Sequence, residues 1–131
     1  GIGVQHIGVA DTIGVGTPLK VQRAIEATLA HFALDDVSGH FHDTYGQALA
    51  NIAACLDEGV RVMDAAVSGA GGCPYAKGAS GNVASEDVVY MLHGMGFDTG
   101  VDLDALAQTG QWLAERLGKA SSKAGQALLS R

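Results

Sequence analysis

Three short apolar runs, each closed by a turn and followed by a helical stretch, constrain the fold of this chain more than any other feature. Val4–Ala10 is brief and partly β-branched, as a buried strand is. It runs into Asp11-Thr12-Ile13-Gly14-Val15-Gly16, a turn with two glycines, and then into Thr17-Pro18, an N-cap and first helical residue. Val21, Ala24, Ile25, Thr28, Leu29 and Phe32 recur at three and four, which predicts a helix from Pro18 to about Phe32. After the polar break Asp35-Asp36, Val37–His42 reads as a second strand. Thr44 and Gln47 are spaced as in a capping box and open a helix from about Tyr45 to Glu58, with Leu49, Ile52, Ala53 and Leu56 inward and Gly59 as its stop. Val60–Val67 is the third strand.

Three further helices are expected. Glu86-Asp87 suits the positive end of one that breaks near Gly94-Met95-Gly96. Asp102 caps another through Trp112 and Leu117, interrupted at Gly110, and a short one follows Lys119. Strands alternating with helices of this length imply βαβ units and a parallel sheet. In such sheets chemistry gathers beyond the C-terminal ends of the strands. Asp11-Thr12, His40 with His42, and the glycine-rich stretch Ser68–Asn82 each follow a strand directly, so all three are expected on one side of one site.

The totals narrow the function. A chain of 131 residues is one domain at most, and 47 % hydrophobic residues suffice for a core. A net charge of -6 argues against nucleic acid and anionic membranes as partners. No apolar run approaches the roughly 18 residues that span a bilayer. Two cysteines without a CxxC fit a reducing compartment and no zinc finger. No P-loop is present, and no GxGxxG follows a strand. The chain begins without methionine and inside a strand, which suggests a piece cut from a longer one.

His40 and His42 stand two apart on a strand, so both imidazoles project to the same face, as a metal-ligand pair requires. Two histidines lining a polar interior would share that pattern. Asn82, at the far end of the glycine-rich stretch, could return an amide oxygen to the same ion, or simply make a turn. Imidazole and oxygen ligands together admit Mg, Mn or Zn. Cys73 lies between Gly72 and Pro74 in that stretch, either a reactive thiol on a loop or a cysteine with no role. Cys55, in an alanine-rich helix, reads as a small buried hydrophobe. Asp11 could orient a histidine, accept a proton, or only begin a turn. Lys77 could meet a phosphate or acyl-carrier group, or be solvated.

Asp11–Pro18, His40–Asn51 and Gly71–Asn82, together with Glu86–Gly94 and Thr99-Gly100-Val101, resemble hydroxymethylglutaryl-CoA lyase over nearly the whole chain. The resemblance implies an α/β fold, the last three βα units of a TIM (β/α)8 barrel plus C-terminal helices, all within one lyase domain. It implies a divalent cation, Mg or Mn, and cleavage of 3-hydroxy-3-methylglutaryl-CoA to acetyl-CoA and acetoacetate, a step of leucine catabolism and ketogenesis. By match, His40, His42 and Asn82 would be metal ligands, Cys73 the loop cysteine of proton transfer, Asp11 an active-site acid, and His40 a catalytic residue. An acyl-CoA substrate, a homo-oligomer, and a bacterial cytoplasm or mitochondrial matrix are expected with it.

A full barrel of this type needs about 250 residues. The aspartate ligand and neighbouring arginine of the family's first strand are missing from this chain, so the isolated chain is expected to be nearly inactive. Two other readings stay open. One is a condensing acyltransferase like isopropylmalate or homocitrate synthase, against which the Gly-Gly-Cys-Pro-Tyr segment speaks. The other is a non-catalytic fragment that self-associates.

Overall fold

The structure, a computed structural model, describes residues 2–72 and 81–131. They form two compact units, one of residues 2–64 and one of residues 65–72 with 81–131.

The first unit alternates strand and helix as its periodicities predict: β1 (Ile7–Asp11), α1 (Pro18–Leu29), β2 (Val37–Phe41), α2 (Ala48–Asp57) and β3 (Val62–Asp64). The strands lie in the order β1-β2-β3, all parallel. Each crossover is a helix, which is the geometry parallel pairing demands. The core is Val21 and Ile25 of α1, Val37 and Phe41 of β2, Ile52 and Cys55 of α2, and Val60. Burying each of the large members contributes about 1.5–3 kcal/mol.

The pairing register decides which side chains share a face. Val37, Gly39 and Phe41 pair with Ile7, Val9 and Asp11 on the helix-covered side. Ser38 and His40 pair with Gly8 and Ala10, and His40 also pairs with Asp64. The second face therefore carries Ser38, His40 and Asp64 beside the small Gly8 and Ala10, with Val62 its one larger apolar residue among these pairs.

Element ends differ from the sequence expectation where a side chain captures backbone. β1 starts at Ile7 rather than Val4, which is exposed. The Thr44–Gln47 capping box does not form. Gly46 adopts φ +67 in a turn whose N–H bonds the Asp43 carbonyl at 3.0 Å, and the Asp43 carboxylate takes the Ala48 N–H at 3.0 Å. Helix α2 thus begins at Ala48, not Tyr45. The third strand is three residues long, shorter than the expected Val60–Val67.

In the second unit Val67–Gly69 forms a 3₁₀ turn, and α3 (Ser85–Gly94), α4 (Leu103–Leu117) and α5 (Lys123–Leu129) follow. Asp102 caps α4 as expected, its carboxylate accepting the Ala105 N–H at 3.0 Å. Gly118 ends that helix at φ 64. Helix α4 is continuous through Gly110, where an interruption was expected. The reason is that Gly110 is there for packing: a Cβ at this position would overlap the Glu86 carboxylate. No helix among the described residues is long and apolar enough to cross a membrane.

Candidate functional site

The polar face of the first unit ends in two imidazoles. His40 is the fourth residue of β2 and His42 follows the strand's last residue. Their ring centroids are 5.2 Å apart and the rings meet edge to face at 65°. Period-two geometry thus brings both histidines together.

Hydrogen bonds decide which ring nitrogen each offers. The Nδ1 of His42 lies 2.6 Å from the carbonyl oxygen of Thr12. A carbonyl only accepts, so Nδ1 carries a proton, and in the neutral ring Nε2 then holds the lone pair. The Nδ1 of His40 lies 3.2 Å from the Asp64 carboxylate, which fixes the same tautomer when the ring is neutral. Among the described residues no hydrogen bond reaches either Nε2. Two imidazoles with Nδ1 engaged and Nε2 open suit a divalent cation, because metal-bound histidines hold their second nitrogen in this way. No group of three His, Cys, Asp or Glu side chains among the described residues is arranged to hold an ion. The two imidazoles could serve as two ligands of a larger set.

Asp11 is placed beneath His42 through the backbone. Its two carboxylate oxygens accept the N–H groups of Val15 at 3.1 Å and Gly16 at 2.7 Å. The buried Asn51 donates from its Nδ2 to the Gly16 carbonyl oxygen at 3.2 Å. The turn held this way is the one that presents the Thr12 carbonyl to His42. Asp11 thus builds a turn and, through that turn, orients a histidine.

Beside His40 the face carries the exposed residues Gly8 and Ala10. Gly8 and Ala10 leave room next to His40, and His6 reaches Ser38 with its Nε2 at 3.1 Å from the hydroxyl. His6 and Asp64 were not singled out in the sequence. The signal for Asp64 was hidden, since it lay inside the expected strand Val60–Val67 and becomes a strand-closing acid only because β3 ends there. His6 had none, since an isolated histidine near the start of a strand fits many roles.

The second unit carries Asn82. Its amide nitrogen donates to the Ala70 carbonyl oxygen at 3.0 Å, which directs the amide group and leaves Oδ1 as an acceptor or ligand atom. The same unit anchors the start of the glycine-rich stretch. Glu86 has no exposed surface, and its two oxygens accept the Ser68 N–H at 2.8 and 3.0 Å. Lys119 donates from Nζ to the carbonyl oxygens of Ser68 at 2.6 Å and Gly69 at 3.2 Å. Ser68 is the one described non-glycine residue at positive φ, 57°. A buried acid and a lysine therefore hold a strained peptide from both sides. Glu86, expected only as a helix-start residue, has this second task. Cys73 and Lys77 lie outside the described residues.

Cys55 is chemically the opposite of a site thiol. Burial, with a smaller contribution from the Glu58 charge, pushes it up to about 12. A thiol held neutral in a core is inert.

A family model described as HMGL-like matches residues 1–113. The chain is 53% identical over 131 residues to the 3-hydroxy-3-isohexenylglutaryl-CoA/hydroxy-methylglutaryl-CoA lyase of Pseudomonas aeruginosa, covering 99% of this chain and 44% of that enzyme. It thus spans less than half the length of that relative. A crystal structure of hydroxymethylglutaryl-CoA lyase from Pseudomonas aeruginosa superposes with a TM-score of 0.91 at 54% identity, over 96% of this chain and 42% of that one. A lyase of this kind from Acinetobacter baumannii, solved with coenzyme A and 3-methylmalate, gives a TM-score of 0.89 at 40% identity, over 95% of this chain and 41% of that one.

Proposed function

The chain belongs to the HMGL-like family, and from that premise we propose that the protein it forms part of is a divalent-metal-dependent carbon–carbon lyase acting on 3-hydroxy-3-methylglutaryl-CoA. The observation that carries this reading is the pair His40 and His42 at the C-terminal end of a parallel strand, with both Nδ1 atoms engaged and, among the described residues, no hydrogen bond to either Nε2. The lyase solved with coenzyme A and 3-methylmalate lends support to an acyl-CoA substrate, since 3-methylmalate carries a hydroxyl beside a carboxylate. The whole is a single barrel domain to which this chain contributes three βα units.

His40 and His42 would hold the cation, Asn82 of the second unit is a further candidate ligand through its Oδ1, and Mg or Mn would suit donors that include oxygen. When bound, the cation makes the substrate's tertiary hydroxyl more acidic and holds it in place. Asp11 is the group of this chain proposed to take up the hydroxyl proton, since both nitrogens of His40 are committed, Nδ1 to Asp64 and Nε2 to the cation. The electron pair of the O–H bond then forms the ketone of acetoacetate. The C–C bond breaks, and its pair passes to the enolate of acetyl-CoA. Cys73 delivers a proton to that carbon and leaves as thiolate, to be reprotonated afterwards. Glu86 and Lys119 fix the peptide at Ser68, where the glycine-rich stretch begins.

The test is to give the full-length protein hydroxymethylglutaryl-CoA in one assay and acetyl-CoA with a 2-oxo acid in another. Acetyl-CoA and acetoacetate from the first, abolished by a chelator and restored by Mg or Mn, is the expected result. Turnover in the second assay alone would make it a condensing acyltransferase instead.

A further inference from the structure

We propose that Asp64 is a positioning residue for His40, holding its imidazole so that Nε2 faces the metal ion. The inference rests on the metal reading given above and extends it to a residue outside the ligand set.

The argument begins with register. Parallel pairing sets His40 directly opposite Asp64, so both side chains leave the sheet on the same face. Asp64 is the last residue of β3, and its Oδ2 lies 3.2 Å from the Nδ1 of His40. That carboxylate has no other described task. Asp11, Asp43 and Asp102 each cap backbone N–H groups, whereas Asp64 bonds an imidazole. Because the carboxylate sits on Nδ1, it cannot share an ion bound at Nε2 of the same ring. Its place is behind the ligand.

The two histidines are held differently. His42 is 8% exposed and donates to a neutral carbonyl. The His40 side chain is 34% exposed and is backed by a charged acceptor on a side chain that is 61% exposed. A partly exposed imidazole without a partner can turn about its Cβ–Cγ bond and exchange its two nitrogens. The Asp64 carboxylate removes that freedom and places negative charge behind the donor nitrogen, which strengthens the lone pair at Nε2 as a ligand. Partners of this kind typically matter by about 10–100-fold in metal affinity.

The experiment compares the full-length protein with its Asp64→Ala and Asp64→Asn variants. Mn binding is followed by calorimetry and by electron paramagnetic resonance, and the histidine tautomers by nitrogen-15 NMR without metal. Asp64→Ala is expected to weaken Mn binding by about 10–100-fold and to give His40 a mixed tautomer signature, with the melting temperature unchanged. Asp64→Asn is expected to recover part of the affinity, because its amide oxygen still accepts the Nδ1 proton. Unchanged Mn affinity and an unchanged His40 signal in Asp64→Ala would overturn the assignment. If the unaltered protein bound Mn no more tightly than its His42→Ala variant, the metal reading itself would fall.

Discussion

The Nδ1 of His42 donates to the carbonyl oxygen of Thr12 across 2.6 Å, tying the end of β2 to the turn that follows β1. This bond links two loops thirty residues apart and turns a hydrogen-bonding preference into a ring orientation. Its geometry depends on Asp11, whose carboxylate closes the turn.

Asp11→Ala should therefore act at two levels. The N–H groups of Val15 and Gly16 lose a charged acceptor, a loss of about 1.5–3 kcal/mol for such bonds. The Thr12 carbonyl then loses its fixed position, and Mn affinity should fall several-fold. Urea denaturation and Mn calorimetry check the two effects, and Asp11→Asn should keep part of each. A stable variant with native Mn affinity would break the link between the turn and His42.

Gly14 sits at φ +72, and a Cβ there would stand 2.6 Å from the Thr44 hydroxyl and 2.7 Å from its Cβ. Gly14→Ala should cost about 1–3 kcal/mol from crowding in addition to the backbone strain. Adding Thr44→Ala should recover only the share due to the hydroxyl, because the Cβ of residue 44 stays 2.7 Å away, and should leave the strain. Thermal melts of the two single variants and the pair separate these contributions.

Gly110 tests whether the buried acid matters. In an exposed helix interior, Gly→Ala stabilises by about 1 kcal/mol. At Gly110 the new methyl would overlap the Glu86 carboxylate, which has no exposed surface into which to retreat. Gly110→Ala should therefore destabilise, by about 1–3 kcal/mol. The sign alone decides the matter: a gain in stability would mean that Glu86 does not occupy this space.

Cys55 predicts an alkaline limb in the stability curve. Its thiol ionises near 9.0 in an unfolded chain and near 12 when buried. Above the first value the unfolded state has released a proton that the folded state retains, so stability falls as pH rises from 9.0 toward 12. Below 9.0 the group is neutral in both states and contributes no slope. Denaturant melts between these limits should lose less stability in Cys55→Ala than in the parent. In a Cys73→Ser background, a thiol reagent should label Cys55 only after unfolding.

Much of the scaffold was legible from local pattern. Strand and helix order, the capping by Asp102, the extent of that helix through Leu117 and the burial of Cys55 all follow from neighbours a few residues away. The capping box at Thr44 and Gln47 was misleading because Asp43 competes for the same helix start and wins through the turn at Gly46. The gap expected at Gly110 was misleading for the opposite reason. Its glycine answers to Glu86 in another helix, not to its own helix.

The sequence by itself determined that His40 and His42 would share a face, because a strand's side chains alternate with period two whatever surrounds them. Which nitrogen each ring offers was decided only by tertiary structure. Thr12 and Asp64 lie thirty and twenty-four residues from the histidines they hold, and only the parallel register and the closed turn bring them within bonding distance. The same holds for Glu86 and Lys119 on Ser68, eighteen and fifty-one residues away. A hydrogen bond selects its partner by position in space, and that position is settled by the packing of every element between.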